Sequence, residues 1–432
     1  MLKKIPVKQL RLGMYIHELG CSWMEHPFWS KTFLLDDPKD LSTLLSTQIK
    51  IVHIDTSKGL DVEIQERSTS SCTDDSCTPS DTDNCKKCWR LNPEQANKTE
   101  PAVKINTSPV ATLPRVSLAQ EVDRAALICA QSKHAIASMF QESRMGHALN
   151  TEDALNVVDE ISGSVLRNSG ALISLARLKN KDDYTYMHSV AVCALMVSLA
   201  KQLGLDDEQI RQAGLAGLLH DIGKMMIPPE ILNKPGKLTD AEFFSVKNHP
   251  SAGHKLLLQS GVTSDMTLDV CLHHHEKVDG SGYPERLAAE QISLYAKMGA
   301  VCDVYDAITS NRPYKNGWEP ADSLRKMAEW SNGHFDQRIF EAFVHSIGIY
   351  PISSLVQLGS GRLGVVIEQS EKSLLTPIVK VFFSIKSNCR IQPEIMDLSL
   401  AGCKDKITSF EDPAKWNIPD IHELWSGIVA TH

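Results

Sequence analysis

The chain lacks any apolar run close to the roughly 18–20 residues that a membrane-spanning helix needs. No continuous apolar stretch follows the basic residues Lys3 and Lys4, which excludes a secretory signal peptide. No internal repeat is present in the 432 residues. We therefore expect a soluble, cytoplasmic protein with no membrane partner, and the length predicts two to four domains.

The sequence also lacks an excess of positive charge, because its formal net charge is −8. Proteins that bind a nucleic-acid polymer present net-basic surfaces to its phosphates, so such a polymer is excluded as a partner. A small anionic ligand stays compatible with this charge, because a few local cations can hold it. The hydrophobic share of 42% is typical of a globular protein with a substantial core.

The cysteines do not form the even, regular pattern of a disulfide framework. There are 11 of them, and several, such as Cys193, Cys271 and Cys302, lie in apolar segments that resemble core. This distribution favours reduced thiols in a cytosolic enzyme.

Four segments of the chain differ in composition. Residues 1–65 combine strand patterns with leucines at helical spacing, which predicts a small α+β domain. Residues 66–113 are polar and predict a flexible linker. Residues 114–347 have helical periodicity, and residues 348–432 carry strand and hairpin signals. The predicted fold class is therefore mainly α, with a β-rich appendage at the C-terminal end. The N-terminal core is expected to come from four aromatic residues, Trp23, Phe28, Trp29 and Phe33.

The linker contains four cysteines, and two interpretations of them are open. Cys72, Cys77, Cys85 and Cys88 have the spacing C-x4-C-x7-C-x2-C. Four thiolates can form a tetrahedral zinc site, and the final C-x2-C suits one. The irregular first pair and the absence of flanking strand patterns favour a thiol-bearing linker without metal.

Capping signals divide the central segment into helices. The pattern of 184–205 predicts a helix that carries His188. Asp206 with Gln209 predicts the start of the next helix, whose small residues allow close helix packing. Thr239 with Glu242 is a capping box for a further helix, which we expect to carry His249 near its end.

This helical segment concentrates side chains that bind metals. The donors are His188, His220, Asp221, His249, His274, His275 and Asp303. They outnumber the ligands of one tetrahedral ion, and imidazole with carboxylate and no thiolate suits iron, manganese or another octahedral ion. A carboxylate such as Asp221 can bridge two ions about 3.5–4 Å apart, as in two-metal phosphodiester hydrolases. Lys224, one turn later, is placed to neutralise a phosphate oxygen.

Several motifs together resemble one family. They are His220-Asp221, Asn233-Lys234-Pro235-Gly236, His249-Pro250, the stretch from His274 to Pro284 (HHEKVDGSGYP), and Asp303-Val304-Tyr305-Asp306-Ala307. This combination resembles the HD-GYP family, a bacterial branch of the HD phosphohydrolases, over about residues 155–347. The first 65 residues resemble an uncharacterised domain that often precedes HD-GYP domains.

The resemblance implies an all-helical catalytic domain that hydrolyses cyclic dinucleotide second messengers, chiefly cyclic di-GMP. It assigns the seven donors above as metal ligands and places Asp221 and Lys224 in catalysis. Substrate-side residues of the family fall on Lys224, Arg312 and Lys315. Tyr283 is a candidate for stacking on a base. Members with a third ion have a Glu four residues before the first metal His; here that position is Tyr184, so we expect two ions.

The glycines between Asp279 and Pro284 predict a tight loop at the rim of the pocket. A diguanylate-cyclase-type protein is a candidate partner for this loop. Three alternatives stay open: cyclic GMP-AMP as the preferred substrate, another HD phosphohydrolase acting on a mononucleotide or alarmone, and a non-catalytic effector that binds a cyclic dinucleotide or a protein. The sequence implies no organic cofactor.

Overall fold

The computed structural model describes most of the chain outside the linker. The described residues are 2–19, 33–36, 38–46, 51–62, 114–178, 184–232, 234, 236–310, 317–331, 333–370 and 373–428. The predicted zinc cysteines, Trp23, Phe28, Trp29, Arg312 and Lys315 lie outside them, so their assignments stay predictions. The side chain of Phe33 also lies outside the description. Within the described ranges, no helix combines the length and apolarity that crossing a membrane requires.

The N-terminal segment forms the predicted α+β unit. Its elements are β1 (Leu2–Pro6), β2 (Tyr15–Leu19), β3 (Phe33–Leu34), α1 (Pro38–Ser46) and β4 (Ile51–Asp55). The strands form one antiparallel sheet in the order β1-β4-β2-β3. Its buried core is aliphatic and includes Ile5, Met14, Ile16, Leu44 and Ile54.

The central segment is helical, as predicted. Its helices are α2 (Leu118–Arg144), α3 (Thr151–Arg167), α4 (Ser169–Arg177), α5 (Tyr184–Gln202), α6 (Asp207–Leu219), α7 (Pro229–Leu232), α8 (Asp240–Lys247), α9 (His249–Gln259), α10 (Asp265–His273), α11 (Leu294–Thr309), α12 (Pro320–Trp330) and α13 (Gln337–Ile347). A 3₁₀ turn, Ile222–Met226, lies between α6 and α7.

Helix α5 is the centre of the bundle. Every residue from Met187 to Ala200 is buried, because other helices pack around it on all sides. The predicted close packing with α6 is confirmed. A Cβ on Gly217 would lie 2.9 Å from the carbonyl oxygen of Val192, so only glycine permits this approach.

The predicted capping boxes at Asp206 and Thr239 are both present. The expectation that His249 lies near the end of the second of these helices is wrong. Helix α8 ends at Lys247, and His249 begins α9. The physical reason is Pro250, which has no N–H to continue the hydrogen bonds of α8 and is tolerated only in the first turn of a new helix.

The C-terminal segment is β-rich. Its elements are β5 (Leu355–Leu358), β6 (Arg362–Glu368), β7 (Ile378–Ser384), β8 (Cys389–Asp397), β9 (Ile407–Phe410) and α14 (Ile421–Ser426). The five strands form an antiparallel sheet in the order β8-β7-β6-β5-β9. Phe382, Phe383 and Trp425 belong to the same buried cluster as the central helices, so the sheet is packed onto the bundle.

Candidate active site

Two clusters of donor atoms lie at one end of the bundle. The first contains His188, His220, Asp221 and Asp303, and the second contains His249, His274 and His275. Within each cluster the donor atoms lie within 4.8 Å of one another. Five separate elements supply them: the second turn of α5, the end of α6 with its 3₁₀ turn, the start of α9, the end of α10, and α11. All seven predicted ligands are therefore brought together.

The Asp221 carboxylate joins the two clusters. Its Oδ2 lies 3.3 Å from Nε2 of His188 and 3.3 Å from Nε2 of His220. Its Oδ1 lies 3.1 Å from Nε2 of His249 and 3.8 Å from Nε2 of His274. Each oxygen thus faces one cluster, which is the arrangement of a carboxylate that bridges two cations.

Asp303 also reaches both clusters, although less closely. Its Oδ1 is 3.0 Å from Nε2 of His188, and its Oδ2 is 3.7 Å from Nδ1 of His275. The carboxylates of Asp221 and Asp303 therefore lie between the imidazoles of the two clusters.

Backbone carbonyls fix the tautomers of three histidines. Nδ1 of His220 donates to the carbonyl of Gly217 at 2.8 Å, and Nδ1 of His249 donates to that of Val246 at 2.7 Å. Nδ1 of His274 donates to the carbonyl of Val270 at 3.0 Å. A carbonyl only accepts, so each ring carries its hydrogen on Nδ1 and turns the lone pair of Nε2 into the site.

These lone pairs face other electron-rich atoms. Nε2 of His249 and Nε2 of His274 are 3.3 Å apart, and neither has a hydrogen to offer the other. Among the described residues, Nε2 of His220 and Oδ1 of Asp221 are buried and make no hydrogen bond of acceptable geometry. Buried polar atoms are normally satisfied. Cations between these atoms would satisfy them, so the donor set fits metal ions.

Asp306 orients His188. Its Oδ2 accepts a hydrogen bond from Nδ1 of His188 at 2.6 Å, and it is itself buried. Burial by itself lowers the pKa of His188, but hydrogen bonds with Asp221, Asp303 and Asp306 outweigh it and raise that pKa to about 10. The site is therefore strongly negative around His188, and a divalent cation would compete there with the proton on Nε2.

Two further histidines and the shared carboxylate are held in their metal-binding forms. Burial lowers the pKa of His274 well below its usual value and lowers that of His275 to about 3, so both imidazoles are neutral. Burial opposes the ionised form of Asp221, but the charge of Lys224 outweighs it and holds the pKa of Asp221 well below the usual range. Neutral imidazole and ionised carboxylate are the forms that bind metals.

Two glycines bring the clusters close enough to share Asp221. Gly223, in the 3₁₀ turn, packs against Gly253 in α9. A Cβ on Gly223 would lie 2.0 Å from the carbonyl oxygen of His249 and 2.5 Å from the nitrogen of Gly253. No larger residue leaves room for this contact. Backbone therefore meets backbone here, and the turn that carries Asp221 reaches the start of the helix that carries His249.

Lys224 is placed at the bridging carboxylate. Its Nζ forms an ion pair with Oδ2 of Asp221, and its side chain is only 20% exposed. The ammonium group therefore lies at the edge of the first cluster, where a phosphate oxygen would approach.

The loop after His275 is held by a buried carboxylate. Glu276, which is 2% exposed, accepts hydrogen bonds from the backbone N–H groups of Glu285, Arg286 and Leu287, at 2.7, 3.0 and 3.1 Å. A Cβ on Gly282 would lie 2.5 Å from the Cα of Glu276, so the predicted tight glycine loop is confirmed.

Tyr283 lies between the second cluster and a groove. Its ring packs on the His275 ring with 4.7 Å between centroids, and burial raises its pKa. The groove has a volume of about 600 Å³ and runs between this loop, the end of α8 and the start of α9. Its lining includes Phe244, Lys247, Asn248 and Arg286.

Three residues that shape the site received no role from the sequence motifs. Asp306 had a detectable signal, because it follows Asp303 by three residues on a helix and so lies on the same face. Glu276 lies inside the quoted motif, but its role as an acceptor for three backbone groups depends on the fold of the loop. Gly223 carried no signal, since its partner Gly253 is 30 residues away in the sequence.

Family models and one full-length relative match this chain. A family model described as "HD domain" matches residues 171–339, and one described as "Domain of unknown function (DUF3391)" matches residues 2–154. Cyclic di-GMP phosphodiesterase PA4108 of Pseudomonas aeruginosa is 53% identical over 431 residues, which cover 99% of this chain and 97% of that protein.

Two further similarities cover less of the chain. 3'3'-cGAMP-specific phosphodiesterase 1 of Vibrio cholerae is 37% identical over 38% of each chain. The structure of Bd1817, a HDG"Y"P protein from Bdellovibrio bacteriovorus, is 14% identical with a TM-score of 0.43, over 79% of this chain and 98% of that one. The full-length match at 53% identity shows that the chain belongs to the HD-GYP family of HD-domain phosphodiesterases.

Proposed function

We propose that this chain hydrolyses cyclic di-GMP to a linear dinucleotide with a 5′-phosphate. The observation that carries the proposal is the Asp221 carboxylate, whose two oxygens face two separate clusters of histidines. The relative that matches over nearly its full length bears the name cyclic di-GMP phosphodiesterase, which supports this substrate.

We further propose that the site holds two divalent ions, iron or manganese. Histidine and carboxylate donors without thiolate suit these metals. When bound, such a pair supplies Lewis-acid activation of water and stabilises charge on the phosphodiester oxygens. Tyr184 occupies the position at which a carboxylate would favour a third ion, and its ring stacks on that of His188 with 5.7 Å between centroids. This supports two metal ions rather than three.

In this proposal the residues of the chain have separate roles. Asp221 holds both halves of the site at a fixed separation. Lys224 stabilises negative charge that grows on the phosphoryl oxygens, so Lys224→Ala should lower kcat more than it raises KM. Arg312 and Lys315 stay predicted substrate residues, and their loss should mainly raise KM.

Cyclic GMP-AMP is the second candidate substrate, because two Vibrio cholerae relatives bear the name 3'3'-cGAMP-specific phosphodiesterase. We place cyclic GMP-AMP below cyclic di-GMP as a substrate, because those two matches cover only 38% and 40% of this chain.

The test is turnover of a nucleotide panel by iron-loaded and manganese-loaded protein. We expect cyclic di-GMP to have the highest kcat/KM, with cyclic GMP-AMP below it, and Asp221→Asn to abolish both. Cleavage of a mononucleotide or alarmone without cleavage of either cyclic dinucleotide would assign another HD phosphohydrolase. Tight binding of a cyclic dinucleotide without turnover would indicate an effector.

The predicted protein partner is a diguanylate-cyclase-type protein that binds the glycine loop. Asp279, Ser281 and Arg286 are exposed on this loop and so available to a partner. We expect Ser281→Trp to weaken binding of a purified diguanylate cyclase without changing metal content. Equal binding by the variant would remove the loop from this role.

A further inference from the structure

We infer that the end of α8 forms the wall that holds the half of the substrate remote from the metals: Phe244 stacks on a purine base and Lys247 binds the phosphate that is not cleaved. This inference rests on the proposed function, because it assumes a cyclic dinucleotide. Such a substrate has two phosphates and two bases in one ring. The metal clusters act on one phosphate, so the other groups need a site of their own.

The position of Tyr283 connects the two halves of the site. One side of its ring packs on His275, and the Lys247 ammonium lies 5.1 Å from its centroid. Lys247 is therefore about one aromatic ring away from a predicted metal ligand. A ligand that spans the metals and Lys247 is the size of a dinucleotide rather than a single phosphate.

Lys247 is held by aromatic rings instead of a carboxylate. Its ammonium also lies 4.9 Å from the centroid of Phe243, and among the described residues it forms no ion pair. Cation–π contacts fix the position of a cation without neutralising it. In a chain with a net charge of −8, this leaves a directed positive charge in the groove. Arg286, on the loop that lines the other side of the groove, adds a second positive charge.

Phe244 is an aromatic surface in the same groove. Its side chain is 77% exposed, the largest exposed fraction among the exposed large hydrophobic residues of the described chain. Exposed aromatic rings beside cations are the usual platform on which bases stack in nucleotide-binding proteins. The neighbouring Phe243 is 50% exposed but does not line the groove, so the two phenylalanines differ in what a ligand would meet.

Helix α8 is anchored at the end away from these residues. A capping box between Thr239 and Glu242 closes its first turn, and Lys234 forms an ion pair with Glu242 at 2.7 Å. No residue of α8 is buried, so Phe244 and Lys247 do not contribute to a core. Their substitution should therefore change ligand binding and leave the helix in place.

The test compares Phe244→Ala and Lys247→Gln with two matched controls. Leu258→Ala removes an exposed apolar side chain outside the groove, and Lys255→Gln removes one charge from α9, also outside the groove. We measure KM and kcat for cyclic di-GMP, metal content, and calorimetric binding of a phosphorothioate analogue of cyclic di-GMP.

Phe244→Ala should raise KM and weaken analogue binding by roughly 5- to 100-fold, the usual loss for one stacked base. Lys247→Gln should raise KM and weaken analogue binding by roughly 10-fold each, as for a lost charge-assisted phosphate contact. Metal content and kcat should stay near those of the unsubstituted protein. The two controls should change KM by less than about 2-fold, as for ordinary surface substitutions. Phe244→Tyr should restore binding, because it restores the ring.

Three results would overturn the inference. Equal losses in Leu258→Ala and Phe244→Ala would point to a general effect of removing exposed apolar surface. Equal losses in Lys255→Gln and Lys247→Gln would point to long-range charge. Unchanged binding in Phe244→Ala and Lys247→Gln, with normal turnover by the unsubstituted protein, would reject the inference alone. If the unsubstituted protein neither binds nor cleaves a cyclic dinucleotide, the proposed function is wrong and this wall has no such ligand.

Discussion

The contact between Gly223 and Gly253 should be essential to the site, and Gly223→Ala tests it. The new Cβ would lie 2.0 Å from the carbonyl oxygen of His249, whereas ordinary contacts begin at 3.4 Å. The 3₁₀ turn and the start of α9 must therefore separate by about 1.4 Å to reach an ordinary contact. That movement acts directly on the 3.1 Å approach between Asp221 and His249, because these residues flank the contact.

The expected effect is large on activity and smaller on stability. Misplacement of a catalytic group by about 1 Å can cost about 100-fold in rate, so we expect kcat/KM to fall by about that factor. This corresponds to about 2.7 kcal/mol of transition-state stabilisation. Added volume in a packed region costs about 1–3 kcal/mol of folding free energy, which a protein of this size should tolerate.

The assay measures ions per chain, kcat/KM for cyclic di-GMP and the urea midpoint on the same preparations. Gly402→Ala is the matched control, since its new Cβ would meet no atom within 4 Å and its φ is not left-handed. We expect Gly223→Ala to lose metal from at least one cluster while staying folded. Full metal content, with kcat/KM within about 2-fold of the original, would refute the reasoning.

Two further substitutions and one truncation test other contacts. Asp306→Asn should weaken metal binding by about 10- to 100-fold in a chelator competition, because His188 loses the carboxylate that orients it; unchanged affinity would contradict this role. Glu276→Gln should lower the free energy of unfolding by about 1–3 kcal/mol, since the new amide would turn a donor toward the N–H of Leu287; an unchanged urea midpoint would count against it. Removal of residues 1–113 should leave a folded protein, because the central helices and the C-terminal sheet share one core; an insoluble product would disprove the boundary at 114.

The grouping of the seven candidate donors could be predicted from the sequence, because these residues are few, chemically distinctive and concentrated in short motifs. Two pairs of donors, His220-Asp221 and His274-His275, are adjacent in the chain, so the two members of each pair must lie close together in the fold. The prediction that Asp221 bridges two ions agrees with its contacts, since its two oxygens face different clusters.

The contacts that position these donors could not be predicted in the same way. The packing of Gly223 on Gly253 depends on how two helices cross, and local periodicity carries no information about that. The helix boundary at His249 depends on Pro250, which disfavours a helical conformation at the residue before it and so ends α8 despite the capping box at its start. Strand β8 carries no clear signal in the sequence, since none of its residues is buried and it lacks the alternation that marks a strand.

The most direct test of the central claim is to measure turnover of cyclic di-GMP as manganese or iron is added stepwise to metal-free protein under anaerobic conditions. We expect the rate to stay low through the first equivalent and to rise as the second one binds, with a plateau near two ions per chain. Asp221→Asn should bind fewer ions and show no rise. Full turnover with one ion or none would contradict the account, because the shared carboxylate would then have no second ion to hold.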